Sequence, residues 1–344
     1  MLIALAAETH ERNAVHECLR GVLLIINTSR PITNGHRILK ENNMMRELTL
    51  EEAKPIWDRF VPEKVVWTDD WDIRVAICKQ YDYKTLILYD GKNFFPLMLD
   101  ADRGFYEIIG GDSVERNYLT FDPEFMKKTD EIPKDVYFDF LVERFDGCLE
   151  GLCPQFYLDL TGIEGIDDYL KRFSKKHRKN FRGDYRGFGE HEFRKEGSLD
   201  EIAAFSRVMF GEKSDFASGD RGCYDILDKD PRTEYWSVVK DGNPVLTTQY
   251  FFYGKTMSVC IWGVDEKYGD TIKVALVEAI KLAKSRNCTR IDYAPTYSGW
   301  KFFYRLDTAP LWRYKRGAIP DSVDAAEYGV PAKERERLKA EGRL

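Results

Sequence analysis

The chain is poor in histidine: there are five in 344 residues, and beyond position 36 only His177 and His191. That count leaves no metal-ligand spacing to build on. The seven cysteines, at 18, 78, 148, 153, 223, 260 and 288, are odd in number and form no CxxC pair. A reducing cytoplasm is the simplest compartment for such a set, and Cys260, inside an apolar run, reads as a small core residue. No apolar run approaches the ~20 residues needed to cross a bilayer. The opening Met1-Leu2-Ile3-Ala4-Leu5-Ala6-Ala7-Glu8 lacks the basic start of a signal peptide. Net positive charge is missing too. A balance of -6 argues against a protein that coats nucleic acid along its whole surface, though it permits a local basic patch. No Ser/His/Asp or Cys/His constellation is readable, which speaks against covalent catalysis.

What is present is ordinary for a soluble globular protein: 43% hydrophobic and 32% charged residues, enough to bury a large core. Aromatics reach 14%, which suits both core packing and clefts with flat amphipathic walls. The length predicts about two domains. Residues 1–43 show little periodicity and read as an appended or mis-started extension, disordered or peripheral, because Met44-Met45-Arg46-Glu47-Leu48 looks like an ordinary protein start. A chain beginning at Met45 is expected to fold equally well.

From there the pattern divides into a first lobe over 44–154, a second over 155–320 and a polar helical tail over 321–344. In the first lobe Thr49 caps a helix ending near Pro62, and a β-meander follows, with a hairpin around Asp90-Gly91. In the second lobe a short strand at 155–160 precedes one long helix carrying Ile166, Leu170, Phe173, His177, Phe181 and Tyr185 at spacings of three and four. Ser198-Leu199-Asp200-Glu201 fits a capping box. Three strands then turn at Asp241-Gly242 and Gly254-Lys255, and a helix with an Ile272, Leu276, Ile280, Ala283 stripe leads to a strand at 289–293. That order predicts an α/β (α+β) fold of two lobes, each a mixed, mainly antiparallel sheet flanked by helices, with a βαβ crossover in the second.

The order also matches a known pattern. Asp159-Leu160, the run Asp168 to Arg182, Gly242-Asn243-Pro244-Val245 with Gln249-Tyr250, Gly263-Val264-Asp265-Glu266-Lys267-Tyr268, Arg290-Ile291-Asp292-Tyr293 and Gly299-Trp300-Lys301 together resemble the Fem-like branch of the GNAT superfamily. The resemblance covers residues 155–316 well and the first lobe loosely. It implies two tandem GNAT-like lobes and an N-acyltransferase that moves an acyl or aminoacyl group to an amine acceptor. Co-substrates would be acyl-CoA or aminoacyl-tRNA, with no tightly bound cofactor and with tRNA as a possible partner. One departure stands out. The Gly-rich turn by which GNAT acetyltransferases hold the coenzyme A pyrophosphate is replaced by Lys267-Tyr268-Gly269-Asp270-Thr271-Ile272-Lys273, where Asp270 would repel a diphosphate.

The candidate site residues each carry two readings. Eight cations lie between Lys171 and Arg186 against the single acid Asp184. They form either a solvated outer face or a phosphate-contacting helix, with Lys175, Lys176, Arg178 and Arg182 as the contacts. Lys301, beside Trp300, is a surface lysine or an ammonium at the mouth of a cleft near the transferring carbonyl. Asp265 and Glu266 end a strand and make a plain turn or a general base. Tyr293 and Tyr297 are packing residues or leaving-group acids. Gly110-Gly111-Asp112 with Arg116 and Asn117 read as a tight turn or as acceptor contacts. The leading reading is direct transfer without a covalent enzyme intermediate; the alternative is a non-catalytic RNA- or phosphate-binding protein on a degenerate GNAT fold.

Overall fold

The computed structural model describes residues 44–344 except 215, 220, 266, 269, 270, 297, 298, 321–329 and 341–344. The expected extension over 1–43 and the candidates Glu266 and Tyr297 lie outside the described residues.

Thr49 and Glu52 close a reciprocal capping box, so β1 (Arg46–Leu48) turns directly into α1 (Leu50–Phe60). Asp70 accepts from the Asp72 N–H and starts α2 (Trp71–Gln80), a helix absent from the sequence reading. It escaped notice because Trp71, Ile73, Arg74, Ile77 and Cys78 are all buried, leaving no clean polar face. β2 (Lys84–Tyr89) and β3 (Phe94–Asp100) form the hairpin expected at Asp90-Gly91, with Tyr89 opposite Phe94. β4 (Phe105–Ile108), α3 (Pro123–Lys128), β5 (Val136–Leu141) and β6 (Leu149–Glu150) follow.

The second half runs β7 (Gln155–Asp159), α4 (Ile166–Leu170), α5 (Lys175–Phe188), β8 (Glu192–Arg194), α6 (Leu199–Phe210), α7 (Tyr224–Asp228) and β9 (Thr233–Lys240). It continues with β10 (Asn243–Tyr253), β11 (Thr256–Val264), α8 (Thr271–Ser285), β12 (Arg290–Asp292) and α9 (Gly299–Phe303). β13 (Asp307–Ala309), β14 (Trp312–Arg316) and α10 (Ala332–Ala340) complete it. The single helix expected from Ile166 to Tyr185 is two helices. Ser174 takes an extended backbone at ψ 157° and caps α5 by accepting from the His177 N–H. The apolar spacing runs across this break because Leu170, Phe173 and Phe181 all enter one core.

Two seven-stranded sheets result, ordered β1-β2-β3-β4-β5-β14-β6 and β13-β7-β12-β11-β10-β9-β8. Among the described residues each sheet has one parallel junction, β4 with β5 and β11 with β12, and is otherwise antiparallel. β14, which the sequence reading left in the second lobe, pairs with β5 and β6 of the first sheet. Strand pairing over so long a separation leaves no local signal in the chain. In the second sheet β12 accompanies β11 only from Thr256 to Ser258, and β11 then runs on to Val264 with no strand partner on that side among the described residues. The sheet opens there.

The first lobe lies against the second through an apolar cluster that joins Trp67, Ile73, Ile77 and Val114 to Leu227 and Phe251, with Cys223 and Cys260 packed at its margin. Arg232 ties it down, donating to Asp70 at 2.7 Å while its guanidinium lies over the rings of Phe251 and Tyr253. Most of the stabilisation here comes from the buried apolar area, at roughly 25 cal/mol per Å².

Candidate active site where the second sheet opens

The register of β10 and β11 slips beside the opening. Gln249 faces Ile261 and Tyr250 faces Val259, so Cys260 is an extra, bulged residue. A bulge bends its strand and re-aims side chains. Val259 and Trp262 line a narrow slot with Tyr250, Ile272, Leu276, Tyr293 and Trp300, whereas Cys260 lines a different cavity. The slot is nearly filled. The Trp262 and Trp300 ring centroids are 5.1 Å apart, and Trp300 meets Tyr293 edge-on at 5.7 Å.

Behind the slot, β12 ends in a buried acid. Asp292 accepts from Gln155 Nε2 at 2.8 and 2.9 Å, from the Arg290 guanidinium at 3.0 Å and from the Ala294 N–H at 3.0 Å. Such a carboxylate is fully held in place. Lys301, brought in by α9, is buried beside it. Its Nζ donates to the carbonyls of Tyr293 at 2.5 Å and Ala294 at 3.0 Å, and it sits over the Phe156 ring at 5.1 Å. Burial pushes the ammonium down to about 8; Cys153, Glu115 and Asp292 oppose that shift.

Glu115 comes from the first lobe. Its carboxyl is pushed up to about 7 by burial, against the pull of Lys301 and with a push from Asp292. It lines a cavity of about 240 Å³ together with Trp67, Ser113, Gly222, Cys223, Tyr224 and Cys260. The loop that carries it is fixed from two sides. Gly110 turns at φ 102°, where a Cβ would strike Val114 Cγ2 at 2.1 Å. The buried Arg74 of α2 spans the loop, donating to Ile109 O at 3.1 Å, Arg116 O at 2.5 Å and Asn117 Oδ1 at 2.8 Å. The guanidinium also donates to Thr68 O at 2.6 Å and lies over Trp57 at 4.5 Å. A small rigid frame therefore holds Glu115 where it shares charge with Lys301.

The structure brings Lys301, Tyr293 and Trp300 together. Tyr293 is buried, its hydroxyl lacking a hydrogen-bond partner among the described residues, and burial holds the phenol well above its ordinary range, so near neutrality it stays protonated. Asp265 is not in this group by any described contact. Its Oδ1 accepts from the Lys267 N–H at 3.1 Å and its carbonyl from the Tyr268 N–H at 3.1 Å, the pattern of a strand-end turn. Lys175 and Lys176 are exposed on the first turn of α5. Arg178 donates to Phe173 O at 2.7 Å, and Arg182 pairs with Asp167 at 2.7 Å. The basic helix does touch the site's support: His177 lies 6.2 Å, ring to ring, from Phe303, an α9 residue 52% exposed. Glu115 and Gln155 were not singled out from the sequence, and Cys260, read there as a small core residue, lies half-buried at a core margin and on a cavity wall. The one available signal was an acid inside the Gly110-Gly111 loop, which read as a turn.

No family model matches the sequence, and no curated protein matches it either. Solved structures do match. L-PGS from Bacillus licheniformis is similar with a TM-score of 0.53 at 15% identity, over 85% of this chain and 100% of that one. A C-terminal DUF2156 domain from Agrobacterium fabrum gives 0.51 at 10%, over 78% and 93%. FemX gives 0.50 at 10%, over 81% and 98%. At these identities the likeness is one of fold alone: the chain shares the overall fold of L-PGS, the DUF2156 domain and FemX, here two lobes each built on a mixed, mainly antiparallel seven-stranded sheet.

Proposed function

We propose that the protein transfers an acyl or aminoacyl group directly to an amine, without a covalent enzyme intermediate, where the second sheet opens. The observation that carries this reading is the buried Lys301 ammonium, fixed by two carbonyls at the end of β12. A charge held rigidly in a low-dielectric site stabilises a developing oxyanion far better than one in water. Holding both substrates there supplies the rest through proximity. Tyr293 lines the slot as a protonated phenol with no hydrogen-bond partner among the described residues, and so has a proton to offer the departing group.

Between the two donors, aminoacyl-tRNA is the better supported. The slot is occupied by Trp262 and Trp300, and the sequence preceding α8 has Asp270 in place of the Gly-rich run that would suit a diphosphate. The first turn of α5 offers Lys175 and Lys176, with Lys179 one turn on, all exposed and with no described acid against them. Cations so placed suit a phosphate backbone. The same three lysines also favour a second reading, a non-catalytic RNA-binding protein on this fold.

Titration with acetyl-CoA at low salt, and separately with a mixed pool of charged tRNAs, tells the donors apart. The expected result is silence with acetyl-CoA and salt-sensitive binding of tRNA, followed by loss of the aminoacyl label when a primary amine is added. Tight acetyl-CoA binding would move the reading to a thioester donor. RNA binding with no transfer from any donor would support the non-catalytic reading.

A further inference from the structure

The slot and the 240 Å³ cavity are lined by neighbouring residues of one bulged strand, Val259 for the slot and Cys260 for the cavity. The slot's walls are almost wholly apolar, and its volume is about 10 Å³, room for roughly one water. The cavity differs in every respect. Its wall carries one carboxylate, Glu115, the two aromatic rings of Trp67 and Tyr224, a hydroxyl from Ser113 and the sulfurs of Cys223 and Cys260. Among the lining residues no side chain is cationic. The nearest cation in electrostatic terms, Lys301, does not line the cavity and donates to the Tyr293 and Ala294 carbonyls.

A half-buried carboxylate among aromatic rings is the chemistry that recognises an ammonium group: a charge-assisted hydrogen bond from N–H to carboxylate, and ring faces that attract the cation. Resting on the transfer reading above, we propose that this cavity is the acceptor site, that it takes the ammonium end of a primary amine, and that Glu115 receives the proton that frees the amine to attack.

The step balances. The ammonium gives one proton to the Glu115 carboxylate. The freed amine nitrogen forms a bond to the donor carbonyl carbon, and the oxyanion of the tetrahedral species forms against Lys301. Collapse breaks the ester bond to the donor. The departing oxygen takes the second nitrogen-bound proton, and Glu115 later releases its own to water. A base that titrates near neutrality is suited to the first step. Burial raises its titration most, Lys301 of α9 lowers it and Asp292 of β12 raises it; the thiols of Cys260 on β11 and Cys153, which precedes β7, face the same carboxyl and are pushed up by burial and, in turn, by it. The volume limits what enters. Ligand pockets for whole drug-sized molecules start at about 300 Å³, so the cavity fits the amine end of an acceptor rather than a bulky one whole.

The test needs no donor, and so can fail separately from the transfer reading. The full chain is titrated calorimetrically with phenethylamine and with cadaverine, using 2-phenylethanol as the uncharged control. Both amines are expected to bind, with the alcohol silent. Glu115→Gln should weaken the amines by about tenfold to a hundredfold, as loss of a hydrogen bond to a charged group does. Cys260→Phe, which fills the cavity and leaves Glu115 in place, should abolish binding while the melting temperature shows a folded protein. Amines that bind Glu115→Gln as tightly as the wild type would overturn the proposal and leave Glu115 as a counter-ion of Lys301. No amine binding to the wild type would overturn it as well. If Glu115→Gln does not fold, the Cys260→Phe result decides alone: unchanged amine affinity there refutes the cavity as the site. With a competent donor, kcat/KM should lose its acid limb near pH 7 in Glu115→Gln and regain part of the rate in Glu115→Asp.

Discussion

Two charged regions meet at α9, and they differ in almost every physical respect. The α5 face carries exposed cations on a solvated helix, its pairs open to water, as with Arg182 and Asp167. In the cluster of Glu115, Asp292, Arg290 and Lys301 the acid of β12 and the lysine are buried and the other two half-buried; Lys301 is driven down to about 8 and Glu115 up to about 7, both chiefly by burial. The first region is dense in charge and cheap to build. The second holds few charges and displaces two of them, Lys301 and Glu115, from their ordinary ranges. Perturbed groups in a cleft mark chemistry more reliably than a run of like charges does.

The sharpest way to break that comparison is to remove one charge from each region. Lys301→Met should lower transfer at saturating donor by about a hundredfold to a thousandfold, the cost of losing one oxyanion-stabilising group. Lys175→Ala, Lys176→Ala and Lys179→Ala combined should leave that rate nearly unchanged and raise the donor concentration needed. Equal losses in kcat would collapse the distinction between chemistry and docking.

Stability should divide the same way. Arg74→Met removes a buried guanidinium that four acceptors and an aromatic face surround. It should cost about 3–5 kcal/mol in urea unfolding, as breaking a buried charged network does. Arg182→Ala should cost no more than about 1 kcal/mol, the worth of an exposed pair.

The docking face makes its own prediction. If α5 contacts phosphates, each of Lys175→Ala and Lys176→Ala should lower the slope of log affinity for tRNA against log salt by about one. A slope unchanged by either would place the RNA elsewhere.

The smallest effect is a pH signature. The Glu115 carboxyl, raised from 4.5 to about 7, keeps its proton in the native state over a window in which the unfolded chain has lost it. The native state then binds more protons, so stability falls as pH rises through that window. Wild type and Glu115→Gln should be closest in stability near pH 5, and wild type should lag behind by pH 8. Thermal melts at the two pH values measure the gap. A wild type that gains on Glu115→Gln over that range would contradict the raised Glu115 carboxyl.

The local features were legible. Turn chemistry at Asp90-Gly91, Asp241-Gly242 and Gly254-Lys255, together with the α8 stripe, gave both meanders and the crossover, because each signal is complete within a few residues. The break at Ser174 was hidden by a core that Phe173 and Phe181 share across it. The return of β14 to the first sheet depends on pairing with Val136 to Leu141, far back in the chain. Of the candidates, Lys301, Tyr293 and Trp300 came with one motif and lie together in the structure, while Asp265, from a neighbouring part of the same pattern, makes the contacts of a turn. Glu115 was not reachable. Its character comes from packing between lobes: Arg74 clamps its loop and the second lobe closes over it, and neither is written in the five residues around it.

The central claim is that chemistry resides in the buried cluster and the basic helix only delivers the donor. A single-turnover experiment with a labelled pool of aminoacyl-tRNA and phenethylamine as acceptor tests it most directly. The account predicts labelled amide formed by the wild type and by the triple Lys175, Lys176, Lys179 alanine variant at saturating donor, with almost none from Lys301→Met. Amide formation by Lys301→Met at the wild-type rate would contradict it.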